Sequence, residues 1–208
     1  TFEVLAMSSY PFLDPNRYQD VCAPGDVPDD GSAPCVNKVL TYTFEPGSVA
    51  KPISLSAGLE SGLFSLGSPV NGSDGVCMIG GKRVTDLIRK GIISLADAIK
   101  YSSNCGMQDM ARRLDPDYMH DLYLKFGIGR RTGIDASDRA DESMDRAWSS
   151  VDARVAAYGY GFRTTLISLA TAYATITNNG VRLEPRLVKR IRKPDGTVEE
   201  VKSADGVQ

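Results

Sequence analysis

One histidine, no Cys-x-x-Cys pair and no run of like charge: the sequence is short of what usually marks a metal centre or a nucleic-acid surface. His120 stands alone among 208 residues, so a zinc site of imidazoles and thiolates has too few ligands. Lys and Arg number 24 against 26 Asp and Glu, a net charge of -2. Charges of both signs are scattered, which leaves no basic footprint for nucleic acid. No 18-residue apolar span and no signal-peptide pattern occurs, and there are no internal repeats or low-complexity tracts. What remains is 42% hydrophobic, enough for one sizeable core. The opening run TFEVLAMSSY starts abruptly on an apolar stretch, so a longer parent chain is expected, and a missing anchor here says nothing of location.

Four cysteines are present, Cys22, Cys35, Cys77 and Cys105. The first two bracket APGDVPDDGSAP, a Pro-, Gly- and Asp-rich loop. They read either as a loop disulfide in an oxidising compartment or as two thiols in an ordinary loop. Asp14, Asp20, Asp26, Asp29 and Asp30 make this region acidic, without the regular alternation of an EF-hand.

Residues 3–10 (EVLAMSSY) are predicted as a strand ended by Pro11, followed by a long irregular stretch to about Asn37. From Ser48 to about Gly62, apolar residues on nearly every side predict a buried helix, with Pro52 tolerated in its first turn. Residues 66–86, rich in Gly, Ser and Asp, read as loops or short strands. Three helices follow, over 94–102, 106–114 and 116–127, and then an irregular, charged stretch over 128–150. The clearest helix spans 164–180, capped by Thr164 or Thr165, with Leu166, Leu169, Ala170, Tyr173 and Ile176 along one face and Gly180 at its end. Residues 186–202 read as strand, Pro-Asp-Gly turn, strand. His120, among Asp117, Asp121 and Lys125, is expected on a solvated helix face, and Trp148 as a core or loop anchor.

Two short motifs carry chemistry. In a helix beginning near Ser48, positions i and i+3 share a face, so Lys51 can set its amine beside the Ser48 hydroxyl. The helix start offers free N–H groups and partial positive charge, which favour an alkoxide or an oxyanion. Burial can lower a lysine pKa until the amine accepts the serine proton. Farther on, KYSSNCGM places Ser102 and Asn104 in the break between two helices. There a hydroxyl can relay a proton and a carboxamide can bind a substrate carbonyl. Alone, Ser-x-x-Lys occurs widely by chance, and Ser-x-Asn also reads as an ordinary capping turn.

Taken in order, Ser-x-x-Lys and Ser-x-Asn resemble the signature of the penicillin-recognising serine acyltransferases. EVLAMSSYPFLDPN resembles the opening of the transpeptidase domain of class B penicillin-binding proteins, and FEPGSVAKP their EPGS-x-x-KP segment. GGKRVTD is similar to their loop before the second motif. FGIGRRTGID resembles their Phe-Gly-x-Gly loop, and AYGYGFRTTLISLATAYATITNNGVRLEP their Gly-Tyr-Gly-to-helix segment. The agreement covers nearly the whole chain, and the division-type transpeptidases are the most similar. The resemblance implies an α/β (α+β) fold, a mainly antiparallel sheet flanked by helices plus an all-helical portion, with residues 1–208 as one partial transpeptidase domain. It implies that Ser48 is the nucleophile acylated by D-Ala-D-Ala stem peptides, Lys51 its base, and Ser102 and Asn104 the proton network and substrate hold. β-Lactams would trap Ser48, and neither cofactor nor metal is called for. It further implies an extracytoplasmic position at the bacterial cell membrane, with the anchor outside these residues, and as partners a membrane-embedded glycan synthase and division proteins, with no nucleic acid.

The chain departs from the family pattern in two places. Val49 and Ala50 stand where the family usually carries Thr and Phe, and both are expected to point into the core. The third motif, Lys-Thr-Gly or Lys-Ser-Gly on an edge strand, is absent. Lys202-Ser203-Ala204 is a near miss, so the 208 residues are expected to be an excerpt with weak activity. A serine β-lactamase and a non-catalytic β-lactam sensor of the same fold remain as alternatives. The first lacks a visible deacylating base, and flanking sequence would decide the second.

Overall fold

The computed structural model describes residues 2–22, 35–139, 144 and 146–201. Its helices are α1 (Tyr18–Val21), α2 (Lys38–Thr41), α3 (Lys51–Glu60), α4 (Leu95–Lys100), α5 (Asn104–Ala111), α6 (Pro116–Lys125), α7 (Ser150–Ala156) and α8 (Leu166–Thr177). Its strands are β1 (Thr43–Phe44), β2 (Pro69–Asn71), β3 (Val76–Ile79), β4 (Lys82–Thr85), β5 (Ile92–Ser94), β6 (Thr164–Thr165), β7 (Arg190–Arg192) and β8 (Val198–Glu200). Pairing is antiparallel throughout these strands: β1 with β6, β2 with β5, β3 with β4 and β7 with β8. Two compact units result, one from residues 1–44, 130–140 and 164–208, the other from 45–129 and 141–163.

In the first unit, α8 starts where Thr165 turns its hydroxyl back to accept the Ser168 N–H at 3.2 Å, which satisfies one of the helix's orphan donors. Leu40, Ile134 and Ile167 form a small core, with Val4, Met7 and Val39 packed against it. The apolar face of α8 read from the sequence is largely exposed. Leu166, Tyr173 and Ile176 are 49%, 38% and 38% exposed, whereas Ile167, Ser168, Thr171, Ala172 and Thr175 are buried. Only Leu169 of the larger expected residues lies inside. The reason is local: Thr171 and Thr175 donate to the carbonyls four residues back, at 2.8 and 2.9 Å. Their hydroxyls are satisfied within the helix and bury at little cost. The segment 3–10 also differs from expectation. It makes a single parallel bridge, Glu3 to Arg186, closed by an ion pair of 2.8 Å between the same two side chains, and is otherwise irregular. Residues 190–200 form the expected hairpin, exposed along both strands.

The second unit packs α3 against α5 and α6. The approach to α5 is close because Gly58 presents no side chain: a Cβ there would lie 2.5 Å from Met110 Sδ. Behind α3, Ser54 and Tyr123 meet at 2.6 Å, and the Tyr123 hydroxyl donates to the Ala156 carbonyl at 2.9 Å. Tyr123, Trp148 and Phe162 pack edge to face around this bond. His120 is not on a solvated face. Its side chain is 12% exposed, edge-on to Trp148, and its Nε2–H donates to the Met144 carbonyl at 2.8 Å. Helix α7, which no sequence reading had marked, begins with a capping box between Ser149 and Asp152.

Of the two readings of the first cysteine pair, the unbridged one holds. Cys22 and Cys35 are not bridged; burial and the neighbouring Cys35 push the Cys22 thiol up to about 11. The disulfide joins Cys77 on β3 to Cys105 on α5, with Cα atoms 5.7 Å apart, well within the reach of such a bond. Of the acidic loop, Asp20 pairs with Arg17 and Asp14 accepts from Asn16, while Asp26, Asp29 and Asp30 lie outside the described residues, as does Lys202-Ser203-Ala204.

Candidate active site

Pro46 and Gly47 turn the chain into a 3-10 segment, Gly47–Ala50, that runs straight into α3. The tight turn puts Ser48 at the exposed rim and Lys51 inside, 2% exposed. Ala50 is fully buried, as expected, but Val49 is 45% exposed. Within a 3-10 turn successive side chains fan out by about 120°, so neighbours cannot both face the core.

Lys51 Nζ is the hub. It lies 3.1 Å from Ser48 Oγ, 2.9 Å from Ser102 Oγ, 2.6 Å from the Ser102 carbonyl and 2.8 Å from Asn104 Oδ1. Ser102 Oγ donates to Ser48 Oγ at 2.9 Å, so the two hydroxyls and the amine form a closed triangle. The other three residues singled out from sequence, Ser48, Ser102 and Asn104, are therefore within hydrogen-bond reach of this one atom. Burial pushes the Lys51 amine down to about 8, against the opposing influence of the Asp86 charge. A group at that value is roughly one-tenth neutral at pH 7, whereas an ordinary lysine is neutral to less than about 0.1%. Once Nζ has lost its proton, its lone pair faces Ser48 Oγ across the same short gap.

The second side of the site is the break between α4 and α5. Ser102 adopts a left-handed conformation, φ +55°, which lets the chain reverse so that its hydroxyl and its carbonyl both point at Lys51. Ser103 then caps α5 by accepting the Gly106 N–H at 2.9 Å. Asn104, the first residue of α5, donates its Nδ2–H to the Thr85 carbonyl at 3.0 Å. That bond leaves its Oδ1 for Lys51.

Residues the sequence reading passed over complete the frame. Asp86 accepts hydrogen bonds from the second-motif turn. Glu45 Oε1 accepts the Gly161 N–H at 2.8 Å, and the Gly47 N–H donates to the Gly159 carbonyl at 2.8 Å. The Gly-Tyr-Gly bend is thus tied to the turn that precedes Ser48. A cleft of about 520 Å³ opens beside Asn104, walled by Arg83, Thr85, Tyr158 and Tyr160. Glu45 lies within FEPGSVAKP and Asp86 closes GGKRVTD, the segments through which the sequence could have marked them.

The arrangement pairs a hydroxyl with a buried amine of lowered pKa, and adds a second hydroxyl in reach of both and a carboxamide at the cleft edge. The matching family model is the penicillin binding protein transpeptidase domain, over residues 1–207. Penicillin-binding protein PbpB of Mycolicibacterium smegmatis is 30% identical over 100% of this chain and 31% of its own length. Peptidoglycan D,D-transpeptidase FtsI of Escherichia coli K12 is 28% identical over 93% of this chain and 31% of its own length. Among solved structures, penicillin binding protein 3 of Mycobacterium tuberculosis superposes with a TM-score of 0.74 at 32% identity, over 85% of this chain and 40% of that one, and was also solved with aztreonam and with ampicillin. A peptidoglycan synthetase from Bifidobacterium adolescentis gives 0.72 at 26% identity over 82% of this chain and 32% of that one. The chain spans about a third of the length of the curated relatives it matches. With a family model that runs along almost all of it and neighbours that share its mixed helical and antiparallel fold, the chain belongs to the penicillin-binding protein transpeptidase domain family.

Proposed function

We propose that this chain carries the acyl-transfer chemistry of a peptidoglycan D,D-transpeptidase. The observation that carries this reading is the convergence of Ser48, Ser102 and Asn104 on the buried Lys51 amine. Neutral Lys51 takes the Ser48 proton as Oγ attacks the carbonyl between the two D-alanines of a stem peptide. The Ser48 N–H, in the first turn of the 3-10 segment, has no carbonyl one turn back and can donate to the oxyanion. The proton then passes from Lys51 by way of Ser102 Oγ to the departing D-Ala nitrogen, which leaves as a free amine. An ester on Ser48 remains. An amine from a second stem peptide attacks that ester, gives its proton back along the same route, and forms the cross-link. Asn104 holds the peptide backbone beside the ester. A β-lactam fits the same path, except that its leaving nitrogen stays tethered and blocks the second amine.

The name of the relative FtsI, a peptidoglycan D,D-transpeptidase, supports peptidoglycan as the substrate, and the proposal extends to a position outside the cytoplasm beside glycan-synthesising and division proteins. Among the described residues no helix is long and apolar enough to cross a membrane. The test is covalent labelling with a fluorescent penicillin followed by peptide mass mapping. One adduct on the Ser48 peptide, lost in Ser48→Ala, is expected. An adduct on Ser102 overturns the assignment, and rapid multiple turnover of nitrocefin points to a β-lactamase instead.

A further inference from the structure

Asp86 follows β4 and reaches into the break between α4 and α5 with both carboxylate oxygens. Oδ1 accepts the backbone N–H groups of Asn104 and Cys105 at 2.6 and 3.2 Å, and Oδ2 accepts the Ser103 hydroxyl. These amides belong to the first turn of α5, where no carbonyl lies one turn back and the helix dipole favours an anion. The residue before it, Thr85, holds the Asn104 carboxamide through its carbonyl at 3.0 Å. One strand end therefore grips Ser103, Asn104 and Cys105. The turn it grips contains Ser102 in a conformation that L residues other than Gly and Asn rarely hold without support.

We propose that Asp86 is a positioning residue of the acyl-transfer site, whose carboxylate keeps residues 102–104 in the shape that aims Ser102 Oγ and Asn104 Oδ1 at Lys51. The inference rests on the acyl-transfer reading given above. Its charge has a second effect. The groups that contact Lys51 from α3's own entrance and from the α4–α5 break are the Ser48 and Ser102 hydroxyls and the Asn104 carboxamide, all uncharged. Asp86 is the charged group acting on that amine, and it raises the Lys51 pKa against the effect of burial. A carboxylate chosen for the turn therefore also delays the release of the Lys51 proton.

The experiment compares the full wild-type chain with Asp86→Asn and Asp86→Glu, following the second-order rate of fluorescent-penicillin acylation from pH 6 to 10 and mapping the label. In Asp86→Asn the rate plateau is expected to fall about tenfold to 10²-fold, as for a displaced reacting group. The acid limb should also move to lower pH, because removing the negative charge lets Lys51 deprotonate sooner. In Asp86→Glu the charge stays and the geometry changes, so the plateau falls while the limb holds its place. A residue serving only overall stability would change neither the limb nor the rate of the folded fraction. Asp86→Asn acylating at the wild-type rate with an unmoved limb overturns the proposal. Should Asp86→Asn fail to fold, Ser103→Ala decides: it removes one donor to Asp86 and keeps the charge, so a wild-type rate overturns the proposal and a lowered plateau with an unmoved limb supports it. A wild-type chain that carries no label on Ser48 would instead defeat the acyl-transfer reading itself.

Discussion

The Gly47 N–H donates to the Gly159 carbonyl at 2.8 Å, and a Cβ on Gly159 would fall 1.8 Å from the Gly47 carbonyl oxygen. Gly159 also sits at φ +90°, so a side chain there is refused twice, by space and by backbone conformation. Because Gly47 leads directly into Ser48, any retreat of the bend moves the Ser48 hydroxyl. Gly159→Ala is expected to slow penicillin acylation by about 10²-fold or more and to lower the unfolding temperature. Wild-type labelling kinetics in that variant would show that the contact does not set the position of Ser48.

Lys51 fixes two pH dependences. In the proposed reaction the neutral amine is the active form, so acylation should rise about tenfold per pH unit below pH 8 and level off above it. Lys51→Arg keeps a charge that cannot be shed in a protein. It should remove the rise and lower the plateau by about 10²- to 10⁴-fold. For stability, a lysine whose pKa falls on folding binds fewer protons folded than unfolded between about pH 8 and its ordinary value of 10.5. Unfolding free energy therefore gains a positive slope across that window. Denaturant midpoints measured at pH 7.5 and 10 in wild type and Lys51→Met isolate the contribution; equal slopes in the two would refute it.

The Cys77–Cys105 bond closes a 28-residue separation, which in the chain-entropy account contributes about 3.5 kcal/mol. Its second anchor adjoins Asn104, so its loss should reach the site as well as the fold. Cys77→Ala is expected to lower the unfolding midpoint and to slow acylation, and dithiothreitol should reproduce both effects in the wild type but not in the variant. Unchanged acylation after complete reduction would confine the bond to stability.

Helix α8 allows a paired test of burial. Ile167 is 6% exposed and Leu166, its neighbour in sequence, is 49% exposed. Ile167→Ala should cost about 2–4 kcal/mol and Leu166→Ala under about 1 kcal/mol, measured by urea unfolding. The reverse order would overturn this assignment of the buried face.

Ser48 and Lys51 were legible because a helix entrance brings i and i+3 together whatever surrounds it. Ser102 and Asn104 were legible because a Ser-rich break between two helices has few shapes. Asp86 meets the same turn from 17 or 18 positions away, and Cys77 meets Cys105 from 28; nothing local announces either. The buried face of α8 was hidden by threonines that satisfy their own hydroxyls. His120 was misplaced because its acidic neighbours in sequence suggested water, while Trp148, which covers it, lies 28 positions on.

Ser102 holds the left-handed region with its hydroxyl against the Lys51 amine. Glycine or asparagine would hold the same backbone more easily, by about 1 kcal/mol for glycine. The two demands on this codon therefore pull apart. A library of all residues at position 102, sorted once for thermal survival and once for penicillin capture, should enrich glycine and asparagine in the first pool and serine in the second. Drift under selection for abundance alone would erase the relay while leaving the fold intact.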